Sequence, residues 1–139
     1  MNKLDLLIVD DDEIFIFLMQ HQFQNAGLLR NITYAANGRK AVDYLVENSH
    51  NPESLPDIIL LDLNMPELDG WGFMNEYAVL KQKFSKKTDI YIMSSSISTR
   101  DAERAMAIKE ITDFIVKPVT IDKLKQIIEK AGLHNENKS

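Results

Sequence analysis

The sequence predicts a doubly wound α/β domain on a five-stranded parallel sheet, with a helix after each strand. Three observations carry that prediction. Short apolar runs alternate with stretches of helical periodicity five times in succession. The apolar runs are close to continuous, as strands covered on both faces must be, rather than alternating apolar with polar. The 139 residues suit one ordinary domain, and no linker or low-complexity tract divides them.

Each element follows from local signals. Leu4 to Val9 is an apolar run closed by acids and reads as a strand. Glu13 to Ala26 is helical, with Asp12 as N-cap and Gly27 as stop. Ile32 to Ala36 is the second strand, and Asn37-Gly38 opens a helix to about Asn48. His50 to Pro56 is a polar loop, after which Asp57 to Leu61 forms the third strand. A helix is expected from Gly70 to Phe84, with Gly70 opening it after a turn, and a fourth strand from Ile90 to Met93. Ser98 caps a helix from Thr99 to about Lys109, and Phe114 to Val116 is the fifth strand. Thr120 caps the last helix, whose stripe is Ile121, Leu124, Ile127, Ile128 and Ala131, with Gly132 as stop. The domain is expected to occupy residues 1–132 and a disordered polar tail residues 133–139.

Composition excludes several function classes. With no cysteine there is no disulfide framework, thiolate zinc site or cysteine nucleophile, which suits a reducing compartment. A net charge of −5 gives little to gain from phosphate-backbone contacts, so direct nucleic-acid binding is not expected. No apolar run approaches the ~20 residues that span a bilayer. Met1-Asn2-Lys3 leads straight into the first strand, unlike a signal peptide, and a cytoplasmic location is expected. His21, His50 and His134 have no recognisable ligand spacing.

In open parallel sheets ligands bind at the carboxyl ends of the strands. There the chain places Asp10, Asp11 and Asp12 after the first strand and Asp62 and Asn64 after the third. Ser94, Ser95 and Ser96 follow the fourth, and Lys117-Pro118 the fifth. Asp10 and Asp62 stand two βα units apart, and Ser94 and Lys117 follow at one unit each, so all four reach the same edge. Carboxylates gathered this closely repel, and a cation relieves the repulsion. An all-oxygen site with open positions suits Mg²⁺ together with a phosphate oxygen. Asp62 can attack phosphorus to form an aspartyl phosphate, while Mg²⁺ and Lys117 neutralise the equatorial oxygens and the Ser94 hydroxyl donates to one of them. Asp12 is left as a helix cap.

The segments Leu7-Ile-Val-Asp-Asp11, Leu60-Leu-Asp-Leu-Asn-Met-Pro-Glu-Leu-Asp-Gly70, Ile92-Met-Ser-Ser95 and Phe114-Ile-Val-Lys-Pro118 closely resemble the CheY-like receiver domains of two-component response regulators. The likeness covers about residues 4–131 and rests on all four motifs in order. It implies a flavodoxin-like receiver fold, with Asp10 and Asp11 holding Mg²⁺ directly or through water and Asp62 as phosphoacceptor. It further implies that Asn64 lends its backbone carbonyl to the metal, Ser94 is the switch hydroxyl, Phe114 the switch aromatic and Lys117 the phosphate-binding lysine before a cis Pro118. The family most often has Thr at the Ser94 position and often Tyr at the Phe114 position. The second difference removes a hydrogen-bonding hydroxyl from the switch.

The expected function is that of a stand-alone response regulator. It would receive phosphate from a histidine kinase or phosphotransfer protein, signal to an unidentified protein by shape, and catalyse only its own phosphorylation and dephosphorylation. Three other readings are weaker. A haloacid-dehalogenase-type phosphatase wants a second acid two residues after the nucleophile, where this chain has Asn64. A flavodoxin-like cofactor carrier wants a hydroxyl- and glycine-rich loop where this chain has carboxylates. A degenerate receiver used as a scaffold would lack part of the reactive set.

Two surface features remain. The first helix is unusually apolar: Phe15, Leu18, Met19, Phe23 and Ala26 fit one buried stripe, leaving Ile14, Ile16 and Phe17 partly outside it. Ile14 and Phe17 are candidates for docking the phosphodonor, beside which the family places this helix. Lys81, Lys83, Lys86 and Lys87 are read as a solvated basic face.

Overall fold

The computed structural model describes residues 3–96 and 98–136. Five strands, β1 (Leu4–Val9), β2 (Leu29–Ala35), β3 (Ile58–Asp62), β4 (Asp89–Ser94) and β5 (Ile111–Val116), form one parallel sheet in the order β2-β1-β3-β4-β5. The helices are α1 (Glu13–Ala26), α2 (Gly38–Glu47), α3 (Gly70–Leu80), α4 (Thr99–Met106) and α5 (Ile121–Glu136). Among the described residues no helix is long and apolar enough to cross a membrane.

Alternation along the strands builds two apolar layers. Leu7, Val9, Ile59, Leu61, Ile90 and Ile92 meet α2, α3 and α4 on one face, through Leu45, Phe73 and Met74 among others. Leu6, Ile8, Ile58, Leu60, Tyr91 and Met93 meet α1 and α5 on the other, through Phe23, Leu124 and Ile127. Covering both faces explains the continuous apolar runs, since each side chain on either face loses contact with water, a gain of about 1.5–3 kcal/mol for a large aliphatic residue.

The helix starts follow the capping signals. Asp12 Oδ1 accepts from the backbone N–H groups of Ile14 and Phe15 (3.1 Å each), Asn37 Oδ1 from Lys40 (2.9 Å), Ser98 Oγ from Asp101 (3.1 Å) and Thr120 Oγ1 from Lys123 (3.1 Å). Gly27 closes α1 in the left-handed region, with φ 66°.

Several boundaries differ from the sequence expectation. β2 starts at Leu29 rather than Ile32, because Arg30 and Asn31 are held by a partner remote in sequence. Arg30 donates to both carboxylate oxygens of Asp5 (2.9 and 2.5 Å) and Asn31 Nδ2 to Asp5 Oδ1 (3.1 Å). β5 starts at Ile111 rather than Phe114; as an edge strand it tolerates Thr112 and Asp113, and Asp113 Oδ1 accepts the Phe114 N–H (2.8 Å). α3 ends at Leu80, and a 3₁₀ turn over Lys81–Lys83 replaces its expected last turn. α4 ends at Met106, not near Lys109. α5 does not stop at Gly132, which has no positive φ, and continues to Glu136. The first part of the expected tail is therefore helix, and residues 137–139 lie outside the described ones.

The stripe of α1 is also corrected. Its buried residues are Ile16, Met19 and Phe23, with Phe15 half-buried. Leu18 is 60% exposed and Ala26 is exposed, while Ile14 and Phe17 stand 73% and 66% exposed. The ridge that meets the sheet is thus rotated from the expected one. The lysine cluster is partly internal: Lys81 pairs with Glu110, and Lys86 Nζ lies 3.1 Å from Asp57 Oδ1 and donates to Leu55 O (2.8 Å).

α4 is the most lightly held helix, with Ala105 its one buried residue. The Arg104 guanidinium lies over the Trp71 ring of α3, 4.1 Å from its centroid.

Two glycines make opposite demands. The Gly38 N–H donates to Leu68 O (3.0 Å), and a Cβ at Gly38 would overlap that carbonyl oxygen. Gly132 sits in a helix with nothing within 4 Å of its would-be Cβ. Urea denaturation should therefore show Gly38→Ala losing about 1–3 kcal/mol and Gly132→Ala gaining about 0.5–1 kcal/mol.

Candidate functional site

The strand order reverses between β1 and β3, since β2 lies on one side of β1 and β3, β4 and β5 on the other. Such a reversal opens a crevice at the carboxyl ends of the two central strands. Asp10 directly follows β1 and Asp62 ends β3, so two acids flank the crevice.

The turn after β1 is shaped by its own acids. The Asp10 N–H continues the ladder to Ala35 O (3.1 Å), and its Oδ1 accepts the Asp12 N–H (2.9 Å). Asp10 is wholly buried. Asp12 turns back to cap α1, as expected, and leaves Asp11 exposed at the rim. Carboxylate oxygens of Asp10, Asp11 and Asp62 lie within 4.8 Å of one another.

Asp62 is fixed from below by close backbone packing. Gly70 N–H donates to Leu63 O (3.0 Å), and a Cβ on Gly70 would stand 2.8 Å from Asp62 O. Burial, then the Asp10 charge and to a smaller degree that of Asp11, push the Asp62 carboxyl up to about 6; Lys117 and the Asn64 backbone N–H pull the other way.

Lys117 arrives from the end of β5. Its N–H donates to Ser94 O (2.8 Å), and the Lys117–Pro118 bond is cis, as the family resemblance implied. Lys117 Nζ lies 2.7 Å from Asp10 Oδ2 and 3.6 Å from Asp62 Oδ1. Asp10 Oδ2 nevertheless has no aligned hydrogen bond, so this contact is one of charge. The ammonium also lies 4.5 Å from the centroid of the Phe15 ring. Sequence reasoning missed that contact. It assigned Phe15 to the buried stripe, and nothing in the spacing of residues 15 and 117 signals their meeting.

The remaining candidates divide. Ser94 is buried at the end of β4, but its Oγ donates to Ser96 O (2.7 Å) instead of reaching Asp62. Phe114 is half-buried and packs with the core layer under α3 and α4. Asn64 is exposed in the loop after β3. Ile14 and Phe17 lie on the outer side of α1, where Phe17 stacks on His21 with centroids 6.2 Å apart. A cavity of about 680 Å³ lined by Lys81, Phe84, Lys86, Lys109 and Lys130 opens beyond the amino-terminal edge of the sheet, away from this chemistry.

Among the described residues, three carboxylates against one ammonium leave net negative charge, and the ligand atoms they offer are all oxygen. The buried Asp10 Oδ2, faced by the Lys117 charge but accepting no aligned hydrogen bond, adds a further ligand atom. This set fits a hard divalent cation held by Asp10, Asp11 and Asp62.

Comparison with known proteins gives one family. A profile described as response regulator receiver domain matches residues 6–129. The chain is 29% identical to the probable chemotaxis protein CheY of Rhizobium etli over 91% of each chain. It is 27% identical to the transcriptional regulatory protein ZraR of Escherichia coli K12, aligning over 98% of this chain but spanning only 28% of that longer protein. A two-component response regulator from Cytophaga hutchinsonii superposes with a TM-score of 0.85 at 28% identity, over 94% of this chain and 98% of that one.

The exposed position of Asp11 sets a test of the site's electrostatics. Asp11→Ala removes one repelling carboxylate, so its melting temperature in chelator should equal or exceed that of the unsubstituted protein. Added divalent cation should stabilise the unsubstituted protein and have little effect on the variant. A marked loss of stability in chelator would make Asp11 a structural residue instead.

Proposed function

The chain belongs to the response regulator receiver family, and from that membership we propose that it accepts a phosphoryl group on Asp62 in a Mg²⁺-dependent reaction. The donor is a histidine kinase or a histidine phosphotransfer protein. The observation that carries this reading is the meeting of Asp10, Asp11 and Asp62 with Lys117 Nζ, 2.7 Å from Asp10 and 3.6 Å from Asp62, in the crevice between the two central strands.

Asp10, Asp11, Asp62 and the Asn64 backbone carbonyl would hold Mg²⁺, which supplies charge neutralisation at the phosphoryl oxygens. An Asp62 oxygen attacks phosphorus and forms the new P–O bond. The P–N bond to the donor's histidine breaks, and its electron pair returns to the imidazole. Lys117 faces the charge carried by the transferred group, so the chain's part is placement and electrostatic support. Ionised Asp62 is the nucleophile, and with its carboxyl held near 6 that form prevails at neutral pH.

Ser94 and Phe114 form the switch in this reading. The Ser94 hydroxyl exchanges the Ser96 carbonyl for a phosphoryl oxygen, and the motion at the end of β4 makes room for Phe114 to repack against the α4–β5 surface. The output is binding of a protein target rather than direct contact with nucleic acid, and the only reactions catalysed are gain and loss of the chain's own phosphoryl group. A histidine-kinase donor places the protein in the cytoplasm. The phosphatase alternative has no support at residue 64, where an amide stands in place of the second acid.

Acetyl phosphate with Mg²⁺ should add a single phosphate in intact-mass spectra, and Asp62→Asn should abolish it. Equal labelling of the Asp62→Asn protein would overturn the assignment.

Ile14 and Phe17, with Leu18 beside them, form the proposed docking surface for the donor's helix. They lie exposed on the helix that starts at the acidic turn, and in this reading the donor's helix covers them. Covering one such side chain contributes about 1.5–3 kcal/mol. Phe17→Ser should therefore slow transfer from the cognate donor at least tenfold, while labelling by acetyl phosphate stays near the unsubstituted rate. Because Phe17 is exposed, stability should change by no more than about 0.5 kcal/mol. Equal slowing of both routes would remove Phe17 from the docking surface.

A further inference from the structure

Lys117 carries a long flexible side chain, and fixing its ammonium costs rotamer freedom. Three groups surround the ammonium: Asp10 Oδ2 at 2.7 Å, Asp62 Oδ1 at 3.6 Å and the Phe15 ring at 4.5 Å from its centroid. The two carboxylates are unequal partners, since the buried Asp10 lies closer. A lysine held by carboxylates alone would be drawn toward Asp10, away from the phosphoacceptor. The Phe15 ring supplies a third contact that is not a carboxylate, and its face attracts a cation through the ring quadrupole. The site is sheltered, with the Lys117 side chain 17% exposed, and such shelter strengthens the attraction.

Phe15 is well placed for this task. It lies in the first turn of α1, and its backbone N–H is fixed by Asp12 Oδ1 at 3.1 Å. The ring is half-buried and rests on the layer formed by α1, α5 and the sheet. The turn that carries Asp10 and Asp11 therefore also sets the position of the ring.

We propose that Phe15 is a positioning residue for the phosphoacceptor reaction, its ring holding the Lys117 ammonium beside Asp62. The proposal rests on the phosphoacceptor reading above. It predicts that an aromatic face, rather than apolar bulk alone, is required at residue 15.

Three proteins test it: the unsubstituted chain, Phe15→Leu, which keeps apolar bulk, and Phe15→Tyr, which keeps the ring. In carbon-13 spectra of metal-free protein, the Lys117 ε-methylene protons should show a ring-current shift in the unsubstituted and Phe15→Tyr proteins and lose it in Phe15→Leu. Labelling by acetyl phosphate should be roughly two- to thirtyfold slower in Phe15→Leu and near the unsubstituted rate in Phe15→Tyr. Rates are read well below each variant's melting temperature, so unfolding does not enter. Phe15→Leu labelled at the unsubstituted rate, or Phe15→Tyr slowed as much as Phe15→Leu, would overturn the positioning role. If the unsubstituted chain itself is never labelled, the phosphoacceptor reading fails, and the positioning role falls with it. The ring-current shift would then still report whether the contact exists.

Discussion

A wholly buried carboxylate, Asp10, stands beside a second acid with a single lysine between them. Removing a carboxylate from water costs several kcal/mol even after the surroundings relax. The turn after β1 offsets part of that cost through the Asp12 N–H, and Lys117 offsets more through its charge. The rest must come from elsewhere in the fold. Two apolar layers packed on a sheet with both faces covered supply it, at no gain to the site itself. The site is a local weakness held in place by a strong core, as expected where a cluster of like charges is kept for chemistry. Burial, and after it the Asp10 charge, leave the Asp62 carboxyl near 6.

Much of this was legible in the sequence. The order of elements, the caps Asp12, Asn37, Ser98 and Thr120, and the shared strand-end edge of Asp10, Asp62, Ser94 and Lys117 all follow from residue spacing and local chemistry. Features set by distant partners were not legible. The start of β2 depends on Asp5, far back in the chain, which holds Arg30 and Asn31 in strand geometry. The beginning of β5 looks too polar for a strand because edge strands are only half-covered. Gly132 reads as a stop, yet only backbone conformation separates a glycine that ends a helix from one carried inside it.

The α1 stripe failed for a different reason. Six consecutive apolar residues, Ile14 to Met19, fit more than one helical face, and periodicity cannot choose among them. Packing chose Ile16, Met19 and Phe23 and left Ile14, Phe17 and Leu18 in solvent. It also turned Phe15 toward Lys117. An excess of apolar residues therefore signals apolar side chains left in solvent on this helix without telling which face they occupy. In the same way, the motifs single out Ser94 but cannot show that its hydroxyl donates to the Ser96 carbonyl.

α4 adds one small buried residue, Ala105, to the core, and Arg104 rests on Trp71 across to α3. A helix so lightly moored is nearly free of the packing constraints that fix the strands. Its outward positions can drift over generations at little cost to folding, and none of them is among the acids and the lysine that meet at the strand ends. A lineage could thus acquire new recognition specificity on this helix while inheriting the acid cluster intact. The fold separates the part that must stay the same from a part that is free to diverge.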